Sequence, residues 1–205
     1  MVIPTSSAGV VSRLVDLVGA RTGRVRLVVD GAPATEPEKL ADALVGPLRA
    51  AGRPVLRVAA NGFWRPASVR LEHGRHDALA YVEDWLDEGA LTREVLAPLG
   101  PGGSGRYLPS LWDPERDRAT RAAYVEAPED AVLVVDGSVL LGRGLPFDLS
   151  VHLAVRPATL HRRTPPEQAW TLEAFGLYER RAQPARVADV VVRVDDPRHP
   201  ALVSD

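Results

Sequence analysis

Apolar residues Val10, Val11, Leu14, Leu17 and Val18 recur at helical spacing, with Ser6 or Ser7 placed to cap and Gly19 to stop the helix. Arg24–Asp30 then reads as a first buried strand. Lys39–Ala51 reads as a helix with Leu40, Leu44 and Leu48 on one face and Gly52 after it. Pro54–Ala60 is a second strand, closed by the turn Asn61-Gly62-Phe63-Trp64-Arg65-Pro66. Two helical pieces follow over Ala78–Glu88 and Leu91–Leu99, then a Gly-rich loop over Pro101–Gly105 and a short extended segment over Tyr107–Trp112. Ala131–Asp136, Leu149–Val155 and Ala188–Val194 are further apolar strands, and the Pro-interrupted, charged Arg156–Glu173 reads as a mobile helical flap. Strands alternating with helices predict an α/β chain, a parallel sheet with helices on both faces. On such sheets ligands bind beyond the strands' C-terminal ends. Asp30-Gly31, Asn61-Gly62 and Asp136-Gly137 all fall on that edge.

The first strand leads through Asp30-Gly31-Ala32-Pro33-Ala34-Thr35-Glu36-Pro37-Glu38 into a helix. This is the layout of a phosphate-binding loop, G-x-x-x-x-G-K-[ST]. Counted from Gly31, Glu36 stands at the second glycine, Pro37 at the lysine and Glu38 at the hydroxyl residue. Such loops work through backbone N–H groups, a helix N-terminus and a lysine. Two like charges ~4 Å apart repel by about 4 kcal/mol at an effective dielectric near 20. That is half of a micromolar binding energy, roughly 8 kcal/mol. Pro37 also removes a donor. Thr35 and Glu38 fit the capping-box pattern, so the helix is expected to cap itself where a phosphate would sit. Lys39 is the sole lysine of the chain and stands two positions late.

The 205 residues suit one domain, with 45% hydrophobic and 25% charged residues and a net charge of −2. That charge implies no attraction to nucleic acid or membrane. The absence of cysteine excludes disulfides and thiol chemistry, and the five histidines include no H-x-x-x-H pair. No run approaches a membrane span of about 20 apolar residues, and no basic leader with an apolar segment opens the chain. The expectation is a cytoplasmic protein.

Several motifs occur in a fixed order. They are Asn61-Gly62-Phe63-Trp64-Arg65-Pro66, Gly74-Arg75-His76-Asp77 with Tyr81, Asp84 and Asp87, then Pro98-Leu99-Gly100-Pro101-Gly102-Gly103, Trp112-Asp113 and Val135-Asp136-Gly137. In this order the chain resembles the uridine kinase family, especially kinase-like proteins of actinobacteria, over nearly its whole length. The resemblance implies a single three-layer P-loop kinase domain over 1–205, with an N-terminal helix in 1–22 and a lid in 156–183. It also implies phosphoryl transfer from ATP, with Mg²⁺, to the 5′-hydroxyl of uridine or cytidine. Asn61 matches the aspartate that orients or deprotonates that hydroxyl, and an amide cannot take the proton. Asp136 matches the acid that holds the metal. Gly31, Thr35 and Lys39 fall at the nucleotide loop, and Arg162 and Arg163 match the lid arginines, although Thr164 replaces the acid that often follows. Asp84 matches the residue that binds the ribose hydroxyls, and Trp112 the aromatic residue on the base, with Asp113, Trp64 and Arg65 beside it. His76-Asp77 departs from the family's D-S pair. Each residue also has a plain reading: Asn61 a turn former, Asp136 a strand-end cap, the arginines and Asp84 solvated, Trp112 core.

The losses at Glu36, Pro37, Glu38, Asn61 and Thr164 lead to the expectation of a nucleoside-binding protein that is weak or inactive as a kinase. Its partner would be a small nucleoside or nucleotide; no cofactor is certain, with ATP and Mg²⁺ only where activity survives, and a homo-oligomer stays open. Two alternatives stand beside it: an active nucleoside kinase using altered loop residues, and a structural subunit with an empty pocket.

Overall fold

The computed structural model describes residues 2–203. In chain order, β1 (Val2–Pro4), α1 (Ser7–Gly19), β2 (Val25–Gly31), α2 (Pro37–Ala50) and β3 (Val55–Ala59) are followed by α3 (Ala67–Arg70), α4 (Ala78–Glu83) and α5 (Glu88–Leu91). Short strands β4 (Arg106–Tyr107), β5 (Trp112–Asp113), β6 (Arg118–Ala119) and β7 (Val125–Glu126) form two small hairpin sheets, β4 with β7 and β5 with β6. Then come β8 (Val132–Gly137), β9 (Leu149–Ala154), α6 (Pro157–Arg163), α7 (Thr171–Ala182), α8 (Pro184–Val187), β10 (Val190–Arg193) and β11 (Ala201–Val203).

Seven strands make one sheet in the order β1-β11-β10-β9-β2-β8-β3. The five strands from β10 to β3 are mutually parallel; β11 runs antiparallel to β10, and β1 antiparallel to β11. β2 lies at the centre of the parallel set, and every one of its residues is buried. A parallel strand covered on both faces needs apolar side chains pointing both ways. Leu27 and Val29 join Leu14, Leu44 and Leu48 in one core under α1 and α2. Val28 points into the other core, with Phe63, Leu91, Leu133 and Phe175 under α4, α5 and α7. The architecture is therefore α/β in three layers.

Ser6 caps α1, its hydroxyl accepting from Gly9 N at 3.0 Å. The periodic run Ala78–Glu88 breaks in two because it holds a second cap. Asp77 accepts from Ala80 N (2.7 Å) and Asp87 from Ala90 N (2.8 Å), and between the two helices Leu86 bridges back to Trp64. The run expected as a helix over Leu91–Leu99 contains a widened π turn, Thr92–Leu96. Region 156–183 divides as well. α6 is followed by a 3₁₀ turn at Pro166–Gln168, whereas α7 is a core helix with Ala174, Phe175 and Tyr178 buried. The strands β1 and β11 and the two hairpins were not expected from the sequence, because two- and three-residue strands carry no measurable periodicity.

Inside the sheet Arg26 is 7% exposed yet fully engaged. Its Nη2 donates to Asp148 Oδ1 (2.7 Å), its Nε to Asp148 Oδ2 (2.9 Å) and its Nη1 to Leu96 O (3.1 Å). Burial tends to raise the Asp148 carboxyl, but the hydrogen bonds from Arg26 prevail and hold it below its ordinary range. Removing the acid strands a buried cation. Asp148→Ala is expected to lower the unfolding free energy by about 3 kcal/mol in urea titrations.

Candidate functional site

The C-terminal ends of β2, β3, β8 and β9 converge on one edge of the sheet. β2 ends in Asp30-Gly31, and the chain turns through Pro33–Thr35 before α2. The self-capping expectation fails here. Pro37, favoured in the first turn of a helix, starts α2 and makes Glu36 the residue before it. Glu38 thereby stands one position too early to pair with the cap. Thr35 is buried and its hydroxyl donates backward to Ala32 O (2.7 Å), and no side chain caps α2. Gly31 makes room for this tuck, since a Cβ there would lie 2.4 Å from Thr35 Oγ1 and 3.0 Å from Leu153 Cβ.

Glu36 is left-handed, φ 56° and ψ 55°. Lys39 is exposed and reaches back to Glu36, with Nζ 2.5 Å from Oε1. That hydrogen bond and charge hold the ammonium above its usual range. At the end of β8, Asp136 is buried, and burial raises its carboxyl. Arg57 opposes this from β3: its Nη1 lies 2.8 Å from Asp136 Oδ1 and its Nη2 3.0 Å from Asp42 Oδ1. The Arg57–Asp136 contact is an ion pair rather than an aligned hydrogen bond. Beside the loop lies a cavity of about 240 Å³ lined in part by Thr35, Glu36, Lys39, Leu40, Val194 and Pro197.

The deepest group at this edge is Asp30, fully buried. Oδ1 accepts from Leu140 N (2.8 Å); Oδ2 accepts from Tyr178 OH (3.1 Å) and meets His152 Nδ1 at 2.7 Å. Ser138 closes the arrangement by donating to Gly31 O (2.7 Å). His152 sits directly opposite Asp30 in the β2/β9 register, and its Nε2 lies 3.5 Å from Glu179 Oε1 on α7. Burial alone would lower the imidazole, but the carboxylates of Asp30 and Glu179 outweigh it and hold it up at about 9. Burial and the Asp30 charge push the Tyr178 phenol upward.

The other expected residues are spread over the chain. Asn61 is exposed on the turn after β3. Arg163 does not face the loop, because its guanidinium donates to Val194 O (2.9 Å) and Asp195 O (2.7 Å), fastening α6 to the strand end. Arg162 is exposed. Asp84 ends α4, half-buried. Asp113 spends its Oδ1 on the amides of Glu115 and Arg116 (3.1 Å each), as a turn former. Trp112 is half-buried and donates its indole N–H to Asp117 (3.0 Å). The strand end before Trp112 docks on the Asn61 turn, Leu111 N donating to Gly62 O (2.9 Å). Arg65 donates its backbone N–H to Trp85 O (2.8 Å). Trp64 belongs to an aromatic cluster, 5.0 Å from Trp85 and 6.4 Å from Tyr81, with the Arg70 guanidinium over both tryptophans at 5.4 and 5.0 Å. Trp170 closes the cluster, 5.5 Å from Tyr81, and His76 stacks on it. Asp77 explains the departure at His76-Asp77, since it caps α4.

Sequence reasoning missed Arg57, His152 and Glu179. A usable signal existed for two of them, because Arg57 is the single polar residue of β3 and His152 the single titratable residue of β9.

No protein-family model matches the chain, and no curated protein matches it by sequence. Solved structures do. A possible uridine kinase from Bacillus stearothermophilus is 20% identical, with a TM-score of 0.71 over 88% of this chain and 96% of that one. A candidate fructose transport system kinase from Silicibacter sp. TM1040 is 24% identical, with a TM-score of 0.64 over 87% and 94%. The chain has the P-loop kinase fold. The YGR205w protein shares it at only 7% identity, with a TM-score of 0.65 over 98% and 100%. At these identities the likeness is one of fold, and the chemistry rests on this chain's own side chains. No helix among the described residues is long and apolar enough to cross a membrane.

Two outcomes follow from the site. A non-glycine residue in the left-handed region costs about 1–2 kcal/mol. The exposed Lys39–Glu36 pair offsets little of it. Glu36→Gly is therefore expected to raise stability by about 1 kcal/mol, read as a higher Tm. The second outcome concerns pH. The folded chain keeps the His152 proton up to about pH 9, whereas an unfolded histidine loses it near 6.5. The stabilisation is complete below pH 6.5 and is lost as pH rises through 9. Stability should fall over that window by up to about 3 kcal/mol in urea titrations, and His152→Gln should flatten the slope.

Proposed function

We propose that the chain is a uridine kinase-like nucleoside-binding protein whose triphosphate site is disabled. One observation carries this: the charged groups that would handle a triphosphate and its metal are spent on each other. Lys39 is paired with Glu36, and Asp136 with Arg57. A guanidinium beside Asp136 stands where a divalent cation would need a free carboxylate. Glu38 offers no hydroxyl at the position where a Ser or Thr would complete the coordination. Among the described residues no cluster of three His, Asp or Glu is arranged to hold a metal ion. The residues present do not fit Mg²⁺-ATP, and no phosphoryl-transfer step is assigned.

The reading with an active enzyme needs Asp30 or Asp136 as base and Lys39 as phosphate contact. Asp30 has three partners and no exposure, and the other two are paired. The nucleoside side draws support from the edge formed by Asn61, Trp112 and the Trp64 cluster, where half-buried aromatic faces border an exposed amide. Base–aromatic stacking contributes about 1–3 kcal/mol. Asp84, Asp113 and Arg65 are the polar residues proposed for that side, and Arg162 is the lid arginine proposed to reach a phosphate.

Calorimetry is expected to detect no Mg²⁺-ATP binding tighter than ~1 mM, while uridine or cytidine raises Tm. Tight ATP binding would overturn the disabled loop; a flat response to every nucleoside would overturn nucleoside binding and leave a structural subunit. Rebuilding the loop with Glu36→Gly, Pro37→Lys and Glu38→Ser, plus Asn61→Asp, is expected to restore ATP binding only when Arg57→Val is added.

A further inference from the structure

On the face of the sheet opposite α2, a second cavity of about 450 Å³ opens between β9, α6 and α7. Leu153, Val155, Leu160, Leu172 and Phe175 line it with hydrocarbon, and the polar group at its inner end is His152. That side chain is 4% exposed. Its Nδ1 is bound to Asp30, a carboxylate that accepts from Leu140 N and Tyr178 OH as well. At 2.7 Å from an acceptor that already takes two donors, the imidazole is placed to donate through Nδ1. Nε2 is left toward the cavity. Its nearest acid, Glu179 Oε1, stands 3.5 Å away, at the limit of hydrogen-bond reach. The Glu179 side chain is 57% exposed and free to swing into water.

This is a built polar point in an apolar chamber. A charged N–H donor without a matched acceptor is costly in such surroundings, and a charge-assisted bond is about twice as strong as a neutral one. The apolar walls offer no acceptor, and Glu179 holds the place loosely. His161 and Arg180 also line the cavity, and the guanidinium adds positive charge. Pockets of this shape take ligands with an apolar body and one oriented polar group. We propose that the cavity binds a small monocarboxylate with an aromatic or aliphatic body, whose carboxylate accepts the Nε2 proton of His152 in place of Glu179. The cavity shares no lining residue with those proposed for the nucleoside edge.

The test uses the full chain with phenylacetate and octanoate, their neutral amides, and uridine, followed by calorimetry and thermal shift. The acids are expected to bind with Kd below ~1 mM and the amides at least about tenfold more weakly. Glu179→Gln removes the internal competitor and should tighten acid binding by about three- to tenfold. Gly176 lines the cavity on α7, and a Cβ there meets only Arg180 Nη1, at 3.3 Å. Gly176→Leu should therefore fill the chamber, abolish acid binding and keep or raise Tm, since leucine favours the helix. In ¹⁵N spectra the His152 Nε2 resonance should move on adding phenylacetate and stay still on adding its amide. Equal binding of acid and amide, no binding of either, or acid binding that survives Gly176→Leu would overturn the proposal. Binding of uridine with no acid bound would overturn it while leaving the nucleoside reading intact.

Discussion

Asp30 is a carboxylate with no exposed surface at the end of the central strand, and a charge in that position is tolerated only when every lone pair is answered. Leu140 N answers from the loop after β8, His152 from β9 and Tyr178 from α7. Tyr178 OH in turn accepts from Leu141 N at 3.0 Å. Three separate elements are thereby pinned to one group at the end of β2. Through His152 and Tyr178 the same carboxylate links the end of β2, the wall of the second cavity and the packing of α7.

Around this anchor the chain settles its charges internally. Arg57 joins Asp136 and Asp42, Lys39 joins Glu36, and Arg26 joins Asp148. Arg143 packs against Glu88 and the Val82 carbonyl, holding the loop after β8 to the α4–α5 layer. Arg70 lies over Trp64 and Trp85 and contacts Asp117 at 3.7 Å. Burial lowers that guanidinium and Asp117 supports it. The aromatic cluster thus arrives with its own cation in place. Arginine suits these roles because its planar fork binds carboxylates and stacks on rings at once, and the composition is arginine-rich for its cations.

The alternation of strands and helices, the central strand and the edge holding Asp30, Asn61 and Asp136 were legible in the sequence, because long apolar runs bounded by Asp-Gly or Asn-Gly carry both period and punctuation. The failures had physical causes. Thr35–Glu38 matched a capping box in letters, but Pro37 set the helix start one residue later than the box requires. Arg163 read as a phosphate clamp because a sequence shows charge and not direction; the fold turns it onto backbone carbonyls. Arg57, His152 and Glu179 act through partners 79, 122 and 27 positions away, respectively, in Asp136, Asp30 and His152, and no local pattern encodes such pairings.

The turn before α2 holds a backbone conformation that its side chain does not favour. Glu36 has φ 56°, a conformation suited to glycine. A strained residue persists only where its surroundings over-determine it. Here Thr35 is drawn back to Ala32, its amide and hydroxyl both bonded to the same carbonyl at 2.7 Å, and Pro37 fixes the helix immediately afterwards. The turn between them has little freedom left, so Glu36 is held in the left-handed geometry. The turn presents the carboxylates of Glu36 and Glu38, and the Lys39 ammonium folds back to meet Glu36. Backbone geometry at this turn therefore follows packing, while the charge it presents follows the side chains it carries.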